Sequence, residues 1–144
     1  MLSERSRKNL EGVHPDMVAV VKRALEVTSI DFTVTEGVRT PERQRELYAQ
    51  GRTKPGRVVT WTLKSNHFRN PRTGFGHAVD VYPAPINLSD PQLKRKLELV
   101  ARAMFQAADE LDIPIRWGAD WDRDGVFGER GETDSPHFEL WGAI

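Results

Sequence analysis

Two stretches of the chain carry apolar residues at the three- and four-residue spacing of an amphipathic helix. The first predicts a helix over about residues 15–28, with Pro15 at its first position. The second predicts a longer helix over about residues 91–111, capped by Ser89 or Asp90. Its predicted buried stripe comprises Leu93, Leu97, Val100, Met104 and Ala108.

Shorter segments between these helices predict one more helix and several strands. The helix should begin at Thr40-Pro41, with Thr40 as its N-cap, and end at Gly51. Runs rich in β-branched and aromatic residues predict strands over residues 32–35, 58–62, 78–82, 113–117 and 137–141. Helices interspersed with short strands favour an α+β fold, in which the helices pack on a small antiparallel sheet.

Composition excludes several classes of function. At 144 residues the chain can form one domain with its own core, and its 38% hydrophobic and 29% charged residues are ordinary for a globular protein. The 21 lysines and arginines balance 21 aspartates and glutamates, so net charge favours neither a nucleic acid nor an anionic membrane as partner. The absence of cysteine excludes disulfides, thiol nucleophiles and cysteine-held zinc.

The sequence shows no targeting or membrane segment. No apolar run approaches the length that crosses a bilayer, and the polar residues 1–8 are not followed by the apolar core of a signal peptide. We therefore expect synthesis in the cytoplasm, no stable membrane insertion, and a separate route to any substrate that lies outside.

Imidazole and carboxylate groups concentrate in three segments. These are Ser65-Asn66-His67, Gly76-His77-Ala78-Val79-Asp80 and Asp134-Ser135-Pro136-His137, which hold three of the 4 histidines. A catalytic zinc site needs three protein ligands, an open position for water and a nearby base. If the segments converge in space, this set of groups predicts a metallohydrolase.

Each of these residues also has a structural interpretation when it is taken alone. Asp80 has apolar neighbours on a predicted strand, and an arginine instead of a metal ion could neutralise it. His137 opens an apolar segment, where a core histidine with satisfied nitrogens is common. Asp134 could simply end a loop before Pro136, although it is also well placed to accept a proton beside His137.

The three segments together resemble the zinc D-Ala-D-Ala carboxypeptidase and L-alanyl-D-glutamate endopeptidase family of cell-wall peptidases. The family signature has a serine and a histidine, then glycine-x-alanine-x-aspartate, and later an acidic residue three positions before a final histidine. The resemblance implies that His67, Asp80 and His137 bind zinc and that Asp134 is the catalytic base. Aspartate at the base position is similar to the phage endolysin branch. The resemblance also implies a hedgehog/D-Ala-D-Ala-peptidase-like single catalytic domain over residues 1–144.

Residues 35–44 are similar to a segment of these endopeptidases in which an arginine points into the active site. The resemblance implies that Arg39 stabilises the tetrahedral oxyanion while zinc polarises the scissile carbonyl. The alternative is an arginine at the start of a helix, bonded to local carbonyls or to Glu42.

One interval departs from the family pattern. Residues 68–75 separate His67 from Gly76, where the family has only two residues, so they predict an inserted loop beside the site. His77 lies closer to Asp80 in sequence and is the fallback metal ligand. Residues three apart on a strand point to opposite faces, however, so His67 is preferred.

A second candidate metal site lies in the acidic segment at residues 120–125. Its alternating ligands would be Asp120, Asp122 and Asp124, as in the first half of an EF-hand calcium loop. The twelfth position, where such a loop needs a glutamate, is Gly131. The alternatives are a calcium site that orders the approach to Asp134 and a solvated acidic loop.

With the resemblance, the leading hypothesis is a monomeric zinc endopeptidase that hydrolyses the L-Ala-D-Glu bond of peptidoglycan stem peptides. As a phage endolysin without a signal peptide, it would stay in the host cytoplasm until a holin-type pore released it to the cell wall. One alternative is a D,D-carboxypeptidase on the same fold, which would cut another stem-peptide bond. The other is a non-catalytic, metal-stabilised module that binds cell-wall peptides.

Overall fold

Helices and short strands alternate along the residues that the structure describes. The structure is a computed structural model and describes residues 2–55, 67–118 and 134–141. The helices are α1 (Glu4–Asn9), α2 (Pro15–Val27), α3 (Pro41–Ala49) and α4 (Leu93–Leu111). The strands are β1 (Phe32–Glu36), β2 (Ala78–Pro83), β3 (Ile115–Gly118) and β4 (Asp134–Leu140). This arrangement confirms the predicted α+β class.

The described strands form an antiparallel sheet in the order β1-β2-β4-β3. β2 and β4, which are far apart in sequence, therefore lie side by side at its centre. Their register places Asp80 opposite His137 and Val79 opposite Phe138. Because opposite residues of an antiparallel pair project on the same face, this register brings two of the sequence-predicted site residues together.

One face of the sheet forms the hydrophobic core with α2 and α4. Alternate residues of the central strands, including Val79, Val81 and Phe138, are fully buried in this core. The two helices contribute Met17, Val20, Val21, Ala24, Val100, Met104, Ala107 and Ala108. The opposite face carries Asp80 and His137, so the same two strands supply both the core and the candidate site.

Helix α4 confirms the predicted apolar stripe but not the predicted cap. The stripe is buried along its length apart from Leu93, which is half-buried in the first turn. The predicted caps, Ser89 and Asp90, were wrong because the N-cap is Gln92, which makes no side-chain cap bond. Asp90 instead accepts the backbone N–H of Gln92 in the preceding turn, a local bond that competes with helix formation.

Helix α1 was not predicted because its described bonds to the sheet are polar. Ser6 is buried, and its hydroxyl accepts the backbone N–H of Val34 at 3.0 Å. The Asn9 amide donates to the carbonyl of Val34 at 2.9 Å. These bonds tie α1 to β1 without the apolar periodicity that identifies a helix in a sequence.

The starts of the other predicted helices agree with the structure. α2 begins at Pro15, and α3 begins at Pro41 with Thr40 as an N-cap that accepts the N–H of Arg43. The predicted strand at residues 58–62 lies outside the described residues. In the part of the chain that the structure describes, no helix has the length and apolarity needed to cross a bilayer.

Candidate metal centre

Three side chains from distant parts of the sequence converge on the polar face of the sheet. His67 Nε2 lies 3.2 Å from Asp80 Oδ1 and 3.1 Å from His137 Nδ1. His137 Nδ1 in turn lies 3.2 Å from Asp80 Oδ1. Both histidines are buried, and Asp80 is half-buried. The structure thus brings together the three residues that the sequence pattern selected as metal ligands, in a cluster that could hold a metal ion.

The outer nitrogens of the two imidazoles face hydrogen-bond acceptors, and the inner nitrogens face Asp80. His67 Nδ1 lies 2.7 Å from the carbonyl oxygen of Gly37. His137 Nε2 lies 2.9 Å from Glu139 Oε1. Because these nitrogens face acceptors, rings that hold a metal ion would keep their protons there and would turn the lone pairs of His67 Nε2 and His137 Nδ1 toward it, beside Asp80. Ligand atoms around a tetrahedral zinc ion are about 3.3 Å apart, which is close to the separations found here.

His67 is held in place by the segment that follows β1. Its ring faces the Gly37 carbonyl, and its own backbone carbonyl accepts the N–H of Arg39 at 2.8 Å. A side chain at Gly37 would not fit, because its Cβ would lie 1.9 Å from the carbonyl oxygen of Asn9. Glycine therefore lets this segment approach the end of α1 closely while its carbonyl fixes the His67 ring.

His137 is held by a carboxylate on its own strand. Glu139 lies two residues along β4, on the same face, and is only 4% exposed. Its Oε1 faces the His137 ring, and its Oε2 accepts from Arg116 Nη2 at 3.0 Å. Burial alone would raise the pKa of Glu139, but the bonds and charges of His137 and Arg116 outweigh burial and lower the pKa. Glu139 is therefore an ionised acceptor behind His137.

Asp80 is kept ionised by the groups around it. Burial opposes its charge, yet hydrogen bonds with His137 and His67 lower the pKa of its carboxyl well below the usual range. On its other side, Asp80 Oδ2 lies 3.7 Å from Arg39 Nη2. Asp80 therefore fits both interpretations drawn from the sequence, because one oxygen faces the imidazole cluster and the other faces an arginine.

Arg39 lies at the edge of the cluster and is firmly oriented there. Its Nε and Nη2 donate to the two carboxylate oxygens of Glu36, at 2.9 and 2.8 Å. Its Nη1 donates to Gln44 Oε1 at 2.6 Å. These bonds use three of the five N–H groups of the guanidinium. Its local carboxylate partner is Glu36 and not Glu42, which lies 3.4 Å from Arg45.

The fallback ligand, His77, lies outside the cluster of three. Its Nε2 is 2.7 Å from Thr73 Oγ1, and its ring packs edge-on against His14 with centroids 5.3 Å apart. Burial is the largest cause that lowers the pKa of His77, which favours the neutral ring. Since Thr73 belongs to the inserted segment, residues 68–75, His77 anchors this segment while His67 supplies the imidazole of the cluster.

Two features predicted from the sequence fall where the structure is partly or wholly undescribed. Asp134 begins β4 opposite Gly118, but only its backbone is described, so its role as a base stays a prediction. The candidate calcium ligands Asp120, Asp122 and Asp124 lie outside the described residues.

The sequence pattern did not reveal the residues that support the cluster from behind. Glu139 was detectable in principle, because it lies two residues from His137 on a predicted strand and so shares its face. Gly37 was not detectable, since it acts through a backbone carbonyl and through its close approach to Asn9. Glu36 is separated from Arg39 by two residues, but an acid at this spacing is common on any surface.

Comparison with known proteins identifies the family. The family model described as phage L-alanyl-D-glutamate peptidase matches residues 1–141. The chain belongs to this family and is a peptidase. Membership confirms the resemblance drawn from the histidine and aspartate segments.

Individual relatives match over most of the chain. The L-alanyl-D-glutamate peptidase of Escherichia phage T5 is 32% identical over 140 residues, which are 95% of each protein. The peptidoglycan L-alanyl-D-glutamate endopeptidase CwlK of Bacillus subtilis (strain 168) is 29% identical over 127 residues, which are 83% of this chain and 66% of the relative. The crystal structure of the L-Ala D-Glu endopeptidase ChiX of Serratia marcescens is 35% identical, with a TM-score of 0.71. That likeness covers 97% of this chain and 89% of ChiX, and it confirms the fold.

Proposed function

We propose that the protein is a zinc-dependent endopeptidase that hydrolyses the L-Ala-D-Glu bond of peptidoglycan stem peptides. The observation that carries the proposal is the convergence of His67, Asp80 and His137 in a chain of the phage L-alanyl-D-glutamate peptidase family. The relatives from phage T5, Bacillus subtilis and Serratia marcescens are all named for this bond, which supports the same specificity here.

The donor set favours zinc over harder cations. Two imidazoles and one carboxylate form a ligand set used by hydrolytic zinc sites, which keep a further position for water or substrate. Magnesium and calcium prefer sites built from oxygen atoms, so two imidazoles argue against them. A bound zinc ion supplies Lewis-acid polarisation of the scissile carbonyl and activation of water.

In this proposal Asp134 is the general base. It precedes His137 by three residues at the start of β4, which agrees with the base position of the family signature. Its carboxylate takes the proton of the attacking water and then passes it to the leaving amine of D-Glu as the peptide bond breaks. Asp134 returns to its ionised form when the amine leaves, so the residue turns over unchanged.

Arg39 is proposed to stabilise the negative charge that develops on the carbonyl oxygen of L-Ala. Two observations support this role. The Arg39 guanidinium lies 3.7 Å from Asp80, and hydrogen bonds to Glu36 and Gln44 fix its orientation before substrate arrives. A charge that is already oriented stabilises a transition state without reorganisation. Because these hydrogen bonds use three N–H groups, Arg39 is expected to act through its charge and its remaining N–H groups.

The proposed biological setting follows from the phage branch of the family. The enzyme would act as a monomeric endolysin whose single catalytic domain spans residues 1–144. It would remain in the host cytoplasm until a holin-type pore gave access to the peptidoglycan. Calcium binding by the acidic segment at residues 120–125 stays a prediction, and the melting temperature with and without millimolar calcium tests it.

Mass spectrometry of digested peptidoglycan tests the reaction, the bond and the metal together. The zinc-loaded protein should release fragments that begin with a free D-Glu amine, a chelator should stop their release, and added zinc should restore it. Release of terminal D-Ala alone would identify a D,D-carboxypeptidase instead. If the protein binds peptidoglycan but leaves the stem peptides intact, it is a binding module. The zinc-loaded Asp134→Asn variant serves as the control for contaminating hydrolases.

A further inference from the structure

We propose that Glu139, supported by Arg116, is a positioning residue that determines which nitrogen of His137 faces the metal cluster. The inference rests on the metal centre proposed above. It adds a residue that acts through a ligand and does not itself contact the ion.

The proton of the His137 ring is assigned by what lies behind it. A neutral imidazole has one N–H and one lone pair, and an ionised carboxylate can only accept. With Glu139 Oε1 at 2.9 Å from Nε2, the N–H is on Nε2. In the neutral ring that binds a metal ion, Nδ1 therefore keeps its lone pair, on the side where Asp80 Oδ1 and His67 Nε2 lie at 3.2 and 3.1 Å.

The sheet makes this arrangement rigid. His137 and Glu139 project from the same face of β4, and the register pairs Glu139 with Arg116 of β3. Arg116 donates to Oε2 at 3.0 Å, so one carboxylate oxygen of Glu139 meets the guanidinium and the other meets the imidazole. The Arg116 guanidinium also lies over the Trp141 ring at 4.7 Å. The carboxylate thus has little freedom to turn away from His137.

The two imidazoles of the cluster are supported in different ways. The His67 ring faces a backbone carbonyl, that of Gly37, which a substitution can displace but cannot delete. The His137 ring depends on a side chain. The contribution of the outer support can therefore be measured at His137 by changing Glu139 alone.

The decisive variant is Glu139→Gln, which keeps the size of the side chain and removes its charge. The amide can also turn an N–H group toward Nε2, which would favour the wrong tautomer of His137. Loss of such an outer partner typically weakens metal binding, so we expect zinc affinity to fall about 10- to 100-fold. Competition with a chelator of known zinc affinity measures this change. Glu26→Gln, at an exposed position of α2, is the matched control and should bind zinc like the wild type.

A merely structural role for Glu139 predicts a different result. It would lower the free energy of unfolding while leaving the zinc affinity of the folded protein unchanged. Circular dichroism at the temperature of the titration establishes that the variant is folded. The visible absorption of Co²⁺ bound in place of zinc should also change in Glu139→Gln, because that spectrum reports the geometry of the ligands.

Wild-type zinc affinity in folded Glu139→Gln would overturn this inference and leave the proposed function intact. Failure of the wild-type protein to bind zinc would overturn the proposed function and this inference with it. If Glu139→Gln does not fold, the zinc affinity of Arg116→Gln tests the inference instead, because this variant keeps the Glu139 carboxylate but removes its guanidinium partner. A smaller loss of zinc affinity is then expected, and no loss would overturn the inference.

Discussion

Asp80 lies between two imidazoles and a guanidinium. One of its oxygens faces the nitrogens of His67 and His137, and the other lies 3.7 Å from Arg39. In the metal-free protein, hydrogen bonds from the imidazoles hold its charge, and a bound cation would take over that task. At the scale of the residue, a salt-bridged aspartate and a metal ligand are therefore compatible descriptions of one side chain.

The lowered pKa of Asp80 predicts how the stability of the metal-free protein depends on acid. Because its folded pKa lies below the unfolded value of about 3.9, its contribution is complete above that value and is lost as the pH falls toward the folded pKa. Asp80→Asn should remove this contribution. As the pH falls below about 5, the free energy of unfolding of Asp80→Asn should therefore change less than that of the wild type. Urea denaturation in the presence of a chelator measures this quantity for the metal-free proteins. An identical pH dependence in Asp80→Asn and wild type would contradict the prediction, and Asp109→Asn, exposed on α4, controls for the loss of a carboxylate.

Substitution of Asp134 should separate catalysis from metal binding. General bases contribute about 10²- to 10⁴-fold to rate, so Asp134→Asn should lose at least about a hundredfold in kcat while its zinc content stays that of the wild type. Elemental analysis and a peptidoglycan digestion assay measure the two quantities, again with Asp109→Asn as control. Loss of both zinc and activity in Asp134→Asn would indicate that Asp134 is a metal ligand. Full activity in this variant would refute its role as the base.

At the scale of the element, local signals identified helices and strands but not their pairing. Thr40-Pro41 and Pro15 mark helix starts through their own chemistry, and both starts agree with the structure. The candidate ligands could be selected because the residue types within each segment match the family signature, although residues 68–75 lengthen the interval between the first two segments. The meeting of Asp80 with His137 could not be derived from local pattern, since the two residues are 57 positions apart in sequence and only the sheet register brings them together. The support of His67 by Gly37 was likewise hidden, because it needs the approach of α1.

Gly37→Ala should damage both the fold and the metal centre. The new Cβ would meet the Asn9 carbonyl at 1.9 Å, so the segment that carries the Gly37 carbonyl must move away from α1 or from His67. Overpacking of this kind costs about 1–3 kcal/mol or more, and displacement of the carbonyl should also weaken zinc binding. Gly74→Ala is the matched control, because its positive φ brings backbone strain while no neighbour lies within 4 Å of the added Cβ. Equal losses of stability and equal zinc affinities in the two variants would contradict the prediction.

At the scale of the whole molecule, a bound metal ion would join three segments that are distant from one another in the sequence. His67 lies outside the sheet, while Asp80 and His137 lie on its central strands β2 and β4. The inserted segment at residues 68–75 lies between two of these ligands in sequence, and its Thr73 Oγ1 lies 2.7 Å from His77 Nε2. The three candidate ligands converge despite this longer interval. The family model matches residues 1–141, a range that includes all three candidate ligands.

Zinc should therefore raise the thermal stability of the wild-type protein. At free zinc about a thousandfold above its Kd, binding adds about 4 kcal/mol to the free energy of unfolding, which raises Tm on the order of 10 °C. Differential scanning calorimetry with zinc and with a chelator measures the shift. His137→Ala should show little or no shift, and a shift equal to that of the wild type would locate the zinc elsewhere.

The most direct test of the central claim is the titration of metal-stripped protein with zinc while L-Ala-D-Glu cleavage is followed. The claim is that His67, Asp80 and His137 hold the one metal ion on which hydrolysis depends. Cleavage should be absent without zinc, rise in proportion to zinc added, and level off at about one equivalent per chain, as expected for one catalytic site. Full cleavage by protein shown to be free of metal would contradict the claim.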